Sequence, residues 1–320
     1  MRNRINICVF DDFFADCMIN AMISMTLFYD ESYRLAAYMN GYEPHFGPYD
    51  DQYFPYLGYV EEYINVFERC FEYQGFLYQD DDYLGLVKKS INDGYYLQLG
   101  VDLFYWHETG SAYQKEHLAH PSLIVGYDDA LSTLYVLEDS LGSMVSYGIC
   151  EVPYGRLHQA IASKENNFRE FMGEDYHLWK RKGEVPSFTM DYEKVKQNAR
   201  DILDNLSNDK FTNFSMHGDD FSDRLVPNEY IKVHTRYENR CIANKLLFKE
   251  LFQRGCISQK QCDTMTECCQ NMMEDIGRVK YNLLRQQKTR RKLNLEFIEK
   301  LWKNIIQTEI EMWKIGRANV

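Results

Sequence analysis

The hydrophobic pattern of this 320-residue chain changes partway along, and that change limits the folds open to it. Residues 1–160 carry short apolar runs, many Tyr and Phe and glycine-marked turns, which is typical of helices followed by an antiparallel sheet. Residues 190–320 place apolar residues at helical spacing among Lys, Glu, Gln and Asn, which indicates a helical bundle. We therefore predict an α+β domain over 1–163, a connector over 164–190 and a helical domain over 191–320.

Apolar periodicity and turn signals give the expected elements. In the first half we predict helices over Cys17–Tyr29, Tyr59–Tyr73 and Asp81–Asp93, then strands over Tyr95–Val101, Ser122–Tyr127, Leu134–Leu137 and Met144–Val152. In the second half we predict helices over Asp191–Leu206, Asn228–Gln253, Ser258–Arg291 and Asn294–Ile315.

Charge and cysteine content limit the partners and the compartment. The net charge of −12 argues against nucleic acid, which needs a basic face, and suits a cationic small molecule. The chain lacks a run of about 18 apolar residues, so we expect no membrane span. The first residues are too charged for an export signal and the cysteine count of 9 is odd, so we expect a cytoplasmic protein with reduced thiols.

Cys17 is the strongest candidate for a catalytic residue. It begins an apolar helix, where the positive end of the helix dipole lowers a thiol pKa and favours the thiolate. His120 opens one predicted strand and Asp139 ends the next, so a hairpin would bring them together. In that arrangement Asp139 orients the imidazole and His120 takes the proton from Cys17. His117 is an alternative base, and a packing role for Cys17 or a turn-capping role for Asp139 are the non-catalytic alternatives.

Four sequence segments resemble the N-terminal domain of the butirosin biosynthesis protein H family, a branch of the papain-like cysteine peptidase superfamily. The segments are Asp16–Cys17, Val101–Trp106, His117–Asp129 and Tyr135–Ser140. The resemblance covers about residues 5–160.

This resemblance implies a papain-like fold and an acyl-cysteine intermediate. Family members are found with natural-product assembly enzymes, and the implied reaction moves an acyl group from a carrier-protein thioester to an amine. The partners would be an acyl or peptidyl carrier protein and an amine-bearing small molecule. No separate cofactor is expected, because the phosphopantetheine arrives on the carrier protein.

The chain departs from the papain-like pattern just before Cys17. Papain-like enzymes usually place a Gln there to bind the oxyanion, whereas this chain has Asp11 and Asp12. A carboxylate would repel a developing oxyanion, so the second oxyanion donor must lie elsewhere. Asn20 and Gln98 are the candidates.

Two further segments suggest binding surfaces. An aromatic loop precedes the candidate base, and from it we predict the substrate-binding residues Tyr105, Trp106, His107 and Tyr113. A basic run between Arg278 and Lys292 has the charge to dock an acidic carrier protein. Its predicted docking residues are Arg278, Lys280, Arg285, Arg290 and Arg291.

The cysteines at 256, 262, 268 and 269 lack zinc-ligand spacing, so we predict no metal there.

The leading functional hypothesis is therefore an acyltransferase with a Cys17–His120–Asp139 triad. A cysteine peptidase or amidase would use the same nucleophile, and a non-catalytic assembly protein would keep the fold without the chemistry. The large apolar helix faces of the second half also suggest a possible homodimer.

Overall fold

In the computed structural model the chain divides into two compact units, Met1–Arg34 with Tyr63–Phe188 and Leu35–Glu62 with Thr189–Val320. The structure describes residues 1–39, 42–46, 55–59, 62–110, 112–141, 145–184, 186–208, 211, 227–289 and 293–317.

The first unit is built on an antiparallel sheet. Its strands are β1 (Arg2–Arg4), β4 (Phe71–Phe76), β5 (Tyr96–Asp102), β6 (Ala119–Asp128), β7 (Thr133–Leu141), β8 (Val145–Pro153) and β9 (Tyr176–Arg181). They lie in the order β4-β9-β5-β6-β7-β8, with β1 also paired to β6. The helices of this unit include α1 (Cys17–Leu27), α4 (Tyr83–Asn92), α5 (Tyr154–Ile161) and α6 (Phe168–Met172).

Local sequence explains how α4 leads into the sheet. The Asp82 side chain accepts from the Gly85 N–H and caps the first turn of α4. At the other end Gly94 has φ of 78°, a left-handed conformation that glycine adopts without steric cost. The chain therefore turns at Asp93–Gly94 and enters β5 two residues later.

A buried apolar cluster joins the sheet to the neighbouring helices. It includes Leu97, Ile124 and Val136 from the sheet, Val87 from α4 and Leu157 from α5. Fully burying a side chain of this size contributes roughly 1.5–3 kcal/mol. The central strands that carry the candidate catalytic residues are therefore held on a rigid base.

The second unit is mainly helical. It contains the hairpin of β2 (Tyr42–Phe46) and β3 (Pro55–Tyr59) with the helices α7 (Tyr192–Leu206), α8 (Pro227–Gln253), α9 (Gln259–Thr289) and α10 (Leu295–Arg317). Helix α9 packs against both α8 and α10, and α7 packs against α10. The apolar stripe of α10 is buried, as its helical periodicity predicted, and includes Ile298, Trp302, Ile305 and Trp313.

The prediction of an α+β fold with a helical C-terminal region is confirmed. Two segments differ from expectation. The predicted connector 164–190 contains α6 and β9, and β9 pairs between β4 and β5 inside the sheet. The predicted helix Tyr59–Tyr73 is instead α3 (Glu62–Cys70) followed directly by β4, while α2 (Tyr33–Met39) precedes the hairpin of the second unit. Among the described residues, no helix is both long enough and apolar enough to cross a membrane.

Candidate active site

Cys17 is the first residue of α1, as predicted. The carboxylate of Asp16 accepts a hydrogen bond of 2.7 Å from the Ile19 N–H and so caps the helix. The Tyr147 hydroxyl, on β8, donates to the Cys17 carbonyl oxygen at 3.0 Å. These two contacts fix the start of the helix and leave the Cys17 side chain partly exposed.

The loop before Cys17 is held against α1 by Asn20. Its Oδ1 accepts from the Ala15 N–H at 2.9 Å, and its Nδ2 donates to the carbonyl oxygens of Phe13 at 2.9 Å and Phe10 at 3.4 Å. Asn20 is fully buried, and its side chain hydrogen-bonds to three backbone groups of this loop. Its amide is thus already used in shaping the loop, and we do not assign it to the oxyanion.

Asn20→Ala should lower the free energy of unfolding by about 3 kcal/mol, because it leaves buried backbone groups unsatisfied. Denaturant unfolding measures this loss. Asn271→Ala is the matched control, since Asn271 is exposed on α9 and alanine favours a helix. A loss for Asn20→Ala no greater than for the control would contradict the pinning role.

His120 and Glu138 meet where two neighbouring strands part. The described pairing of β6 with β7 runs from Asp128–Thr133 to Leu123–Leu137. Beyond it, β6 stays paired with β5 as far as Ala119, and β7 stays paired with β8 as far as Leu141. In these diverging ends, the His120 Nε2 lies 3.2 Å from the Glu138 Oε2.

Cys17 completes this cluster. One donor atom from each of Cys17, His120 and Glu138 lies within 4.8 Å of the other two. The His120 side chain is 15% exposed, whereas that of Glu138 is fully buried. The contact between His120 and Glu138 has ion-pair distance without hydrogen-bond alignment, as is common in catalytic groups before substrate binds.

The electrostatics of the cluster favour a protonated imidazole. Burial alone would lower the pKa of His120, but the negative charges of Cys17 and Glu138 more than offset it and raise the pKa well above its usual value. A thiolate beside an imidazolium is the reactive pair of cysteine nucleophiles.

The carboxylate in this cluster is Glu138, which the sequence analysis missed. Asp139 lies next to it in β7, opposite Tyr147 of β8, and its side chain is outside the described residues. The assignment of Asp139 as the orienting residue therefore stays a prediction. The only sequence signal for Glu138 was its position beside Asp139 in the Leu-Glu-Asp-Ser segment.

His117, the alternative base, has a different partner. Its Nδ1 lies 2.7 Å from the Asp102 Oδ2 and its ring stacks on Phe104. Although burial would raise the pKa of Asp102, hydrogen bonds from Ser163 and His117 lower it. This arrangement anchors the loop between β5 and β6, whereas His120 is the histidine grouped with Cys17.

The predicted substrate-binding residues are divided between the core and the surface. Trp106 and His107 are buried, and the Trp106 Nε1 donates to the Ser122 Oγ at 2.9 Å. Tyr105 and Tyr113 are partly exposed, and the Tyr113 ring lies under the guanidinium of Arg156. Of the four, the two tyrosines have exposed surface to offer a substrate.

The acidic loop before Cys17 is partly neutralised. The Asp12 carboxylate lies 2.5 Å from the Arg34 guanidinium. Gln98, the other oxyanion candidate, is buried; its Oε1 lies 3.0 Å from the His177 Nδ1, and its Nε2 lies 3.6 Å from the Met18 Sδ. A thioether sulfur is a weak hydrogen-bond acceptor. The Gln98 amide, which points toward Met18, is therefore only weakly engaged as a donor.

The predicted docking residues lie on the second unit. Arg278 pairs with Asp275 at 2.8 Å and Lys280 pairs with Glu238 at 2.6 Å. Arg285 is exposed on α9. Arg290 and Arg291 lie outside the described residues.

No protein-family model matches this chain, and no curated protein matches it at a significant level. The geometry around Cys17 is therefore the main guide to its chemistry.

Proposed function

We propose that this protein is a cysteine-dependent acyltransferase that moves an acyl group from a carrier-protein thioester to an amine. The observation that carries the proposal is the convergence of Cys17, His120 and Glu138 at the start of α1. A nucleophile, a base and a carboxylate that orients the base are the parts needed for covalent acyl transfer.

In the first step the Cys17 thiolate attacks the thioester carbonyl and the carrier thiol leaves. His120 gives its proton to that departing sulfur, so the neutral imidazole remains beside the acyl-enzyme. In the second step His120 removes a proton from the attacking amine. The amide forms, and the returning Cys17 thiolate and imidazolium restore the starting state.

Glu138 keeps the imidazole in place through both steps. The Nε2 atom lies beside the Glu138 carboxylate, so we assign the proton exchange with Cys17 to the other ring nitrogen, Nδ1. The buried carboxylate also stabilises the imidazolium, which lasts only while Cys17 is a thiolate.

The oxyanion is bound at the helix start. The first N–H groups of a helix have no partner within the helix, and the dipole there favours negative charge. The Ile19 N–H is taken by Asp16, and we assign the oxyanion to the Met18 N–H of the same turn.

A thioester is a better match for this site than an amide. A thiolate leaves readily, so the reaction needs less oxyanion stabilisation than amide cleavage, and the site lacks the usual Gln before the nucleophile. The resemblance to a family of carrier-dependent acyltransferases supports the same donor. The exposed Arg285 is a cationic contact for an acidic carrier.

Amide hydrolysis is the second candidate. The observation in its favour is the raised pKa of His120, which burial opposes but Cys17 and Glu138 maintain. A protonated imidazole at neutral pH is able to protonate an amine leaving group, which a peptidase or amidase requires.

Intact mass spectrometry tests the shared intermediate. Incubation with an acyl-pantetheine thioester should add one acyl mass to the wild type and to Cys150→Ser, and none to Cys17→Ser. Cys150 is a matched control because it is also a partly exposed thiol of the first unit. Absence of any adduct on the wild type, including from a carrier-bound donor, would favour a non-catalytic role.

The fate of the adduct separates the two reactions. In a transferase, a primary amine should discharge the acyl-enzyme to an amide faster than buffer alone releases the acid. Release of free acid at a rate independent of amine concentration would identify a hydrolase.

A further inference from the structure

Three different donor atoms converge at the active site, namely a thiol sulfur, an imidazole nitrogen and a carboxylate oxygen. Among the described residues, Cys17, His120 and Glu138 are the one group of Cys, His, Asp or Glu side chains whose donor atoms all lie within 4.8 Å of one another. Zinc sites with one open position use three protein ligands of these types.

We propose that Cys17, His120 and Glu138 also bind a zinc ion, which blocks the nucleophile reversibly. The inhibitory consequence rests on the proposed acyltransferase function, whereas binding of the ion does not. Zinc would thus act as a negative regulator at the catalytic residues themselves.

The spacing of the donors is close to what zinc needs. Zinc bonds of about 2.0–2.3 Å in tetrahedral geometry separate the ligand atoms by roughly 3.3–3.7 Å. The His120 Nε2 and the Glu138 Oε2 are 3.2 Å apart, and every donor pair is within 4.8 Å. The Cys17 side chain is partly exposed, and a rotation of that side chain is the adjustment that this proposal requires.

The state of Glu138 independently favours a cation. Its side chain is fully buried, and neither carboxylate oxygen has a hydrogen bond of good geometry. A buried carboxylate is costly unless a charge or hydrogen bonds compensate for its lost hydration. The ion-pair contact with His120 provides part of this, and a divalent cation between the three groups would provide more.

The donor set also selects the ion. Thiolate and imidazole suit zinc, whereas magnesium and calcium prefer sites made of oxygen ligands only. Binding takes the Cys17 sulfur as the thiolate that it already is in the ion pair. The His120 imidazolium releases one proton to solvent, and the lone pair that this frees on its ring nitrogen binds the ion. The nucleophile and the base are then both engaged, while the fourth position is left for water.

Cobalt(II) is the probe for the experiment, because it replaces zinc and reports thiolate coordination through its absorption spectrum. Titration of the full-length protein should give a thiolate-to-cobalt band at one ion per chain, and added zinc should remove it. Cys17→Ser should abolish the band, and Glu138→Gln should weaken zinc binding at least about tenfold. Cys150→Ser and His117→Ala are the controls and should match the wild type.

The outcomes separate binding from function. Zinc binding together with loss of thioester loading, restored by a chelator, supports the whole proposal. If the cobalt band forms but the metal-free protein is not acylated, the metal site is supported and the proposed acyltransferase function is overturned. Absence of the cobalt band in the wild type overturns the zinc site. A band that is unchanged in both Cys17→Ser and His120→Ala overturns it as well. If Cys17→Ser does not fold, His120→Ala provides the test.

Discussion

Glu138→Gln should slow acylation of Cys17 by about 100-fold or more, because a neutral amide cannot stabilise the imidazolium of His120. Asp139→Asn is the matched control, one residue away in the same strand, and should react at close to the wild-type rate. Single-turnover loading of an acyl-pantetheine thioester, followed by intact mass, measures both.

The pH profile distinguishes a positioning role from general damage. Burial lowers the pKa of His120, whereas Cys17 and Glu138 raise it. Removing the Glu138 charge should therefore lower the pKa of His120. In Glu138→Gln the imidazolium should then lose its proton at a lower pH than in the wild type. Alkylation of Cys17 by iodoacetamide across pH reports this shift without any acyl substrate.

The opposite ranking of the two variants would change the assignment. Slow loading in Asp139→Asn with a normal rate in Glu138→Gln would identify Asp139 as the orienting residue. Circular dichroism should show both variants folded, since neither removes a group that the sheet needs for its core.

The predicted positions of Cys17 at a helix start and of His120 in a strand are confirmed, and both have local signals. The apolar run after Cys17 predicted a helix that begins at this residue, and Cys17 is the first residue of α1. The apolar strand after His120 was equally visible, and it lies in β6. In both cases the information lies within a few residues of the functional side chain.

The carboxylate partner depends on information that is not local. Neighbouring residues of a strand point to opposite faces, so a choice between Glu138 and Asp139 requires the strand geometry. Here the register Leu123–Leu137, continued by one step, places Glu138 on the same sheet face as His120 and diagonally across from it, whereas Asp139 falls on the other face. Turn chemistry at Asp128–Ser132 predicts the hairpin but not where its strands separate.

The connector was misjudged for a related reason. Residues 164–190 contain glycines and charges typical of a linker, yet Tyr176–Arg181 forms β9. That strand is stabilised by pairing with β4, about a hundred positions earlier in sequence, and with β5. Long-range pairing of this kind overrides the weak strand preference of the segment itself.

Glu309→Gln should remove a large pH dependence from the stability of the helical unit. Glu309 lies on α10, and burial raises its pKa to about 7 from an ordinary value of 4.5. The Tyr42 hydroxyl donates a hydrogen bond to Glu309, and the Arg240 guanidinium lies nearby. Asn244 and Trp313 donate hydrogen bonds to the same Tyr42 hydroxyl oxygen.

The sign of the effect follows from proton binding. Between pH 4.5 and about 7 the folded state holds a proton on Glu309 that the unfolded state has released. The free energy of unfolding should therefore fall as the pH rises through this range, by about 3 kcal/mol in total, and stay level above it. Glutamine carries no charge at any pH, so the variant should lack this decline and be the more stable form at pH 8.

Hydrogen exchange of the α10 amides measures this stability within the helical unit, because the buried amides exchange only when the helices open. Glu311→Gln is the matched control on the same helix, since Glu311 is exposed, and it should keep the wild-type pH dependence. If Glu309→Gln and Glu311→Gln lose protection in parallel with the wild type from pH 5 to pH 8, Glu309 is already ionised in the folded protein. In that case the nearby guanidinium of Arg240 holds the carboxylate charged, and the hydrogen bond from the Tyr42 hydroxyl stabilises the anion rather than the neutral acid.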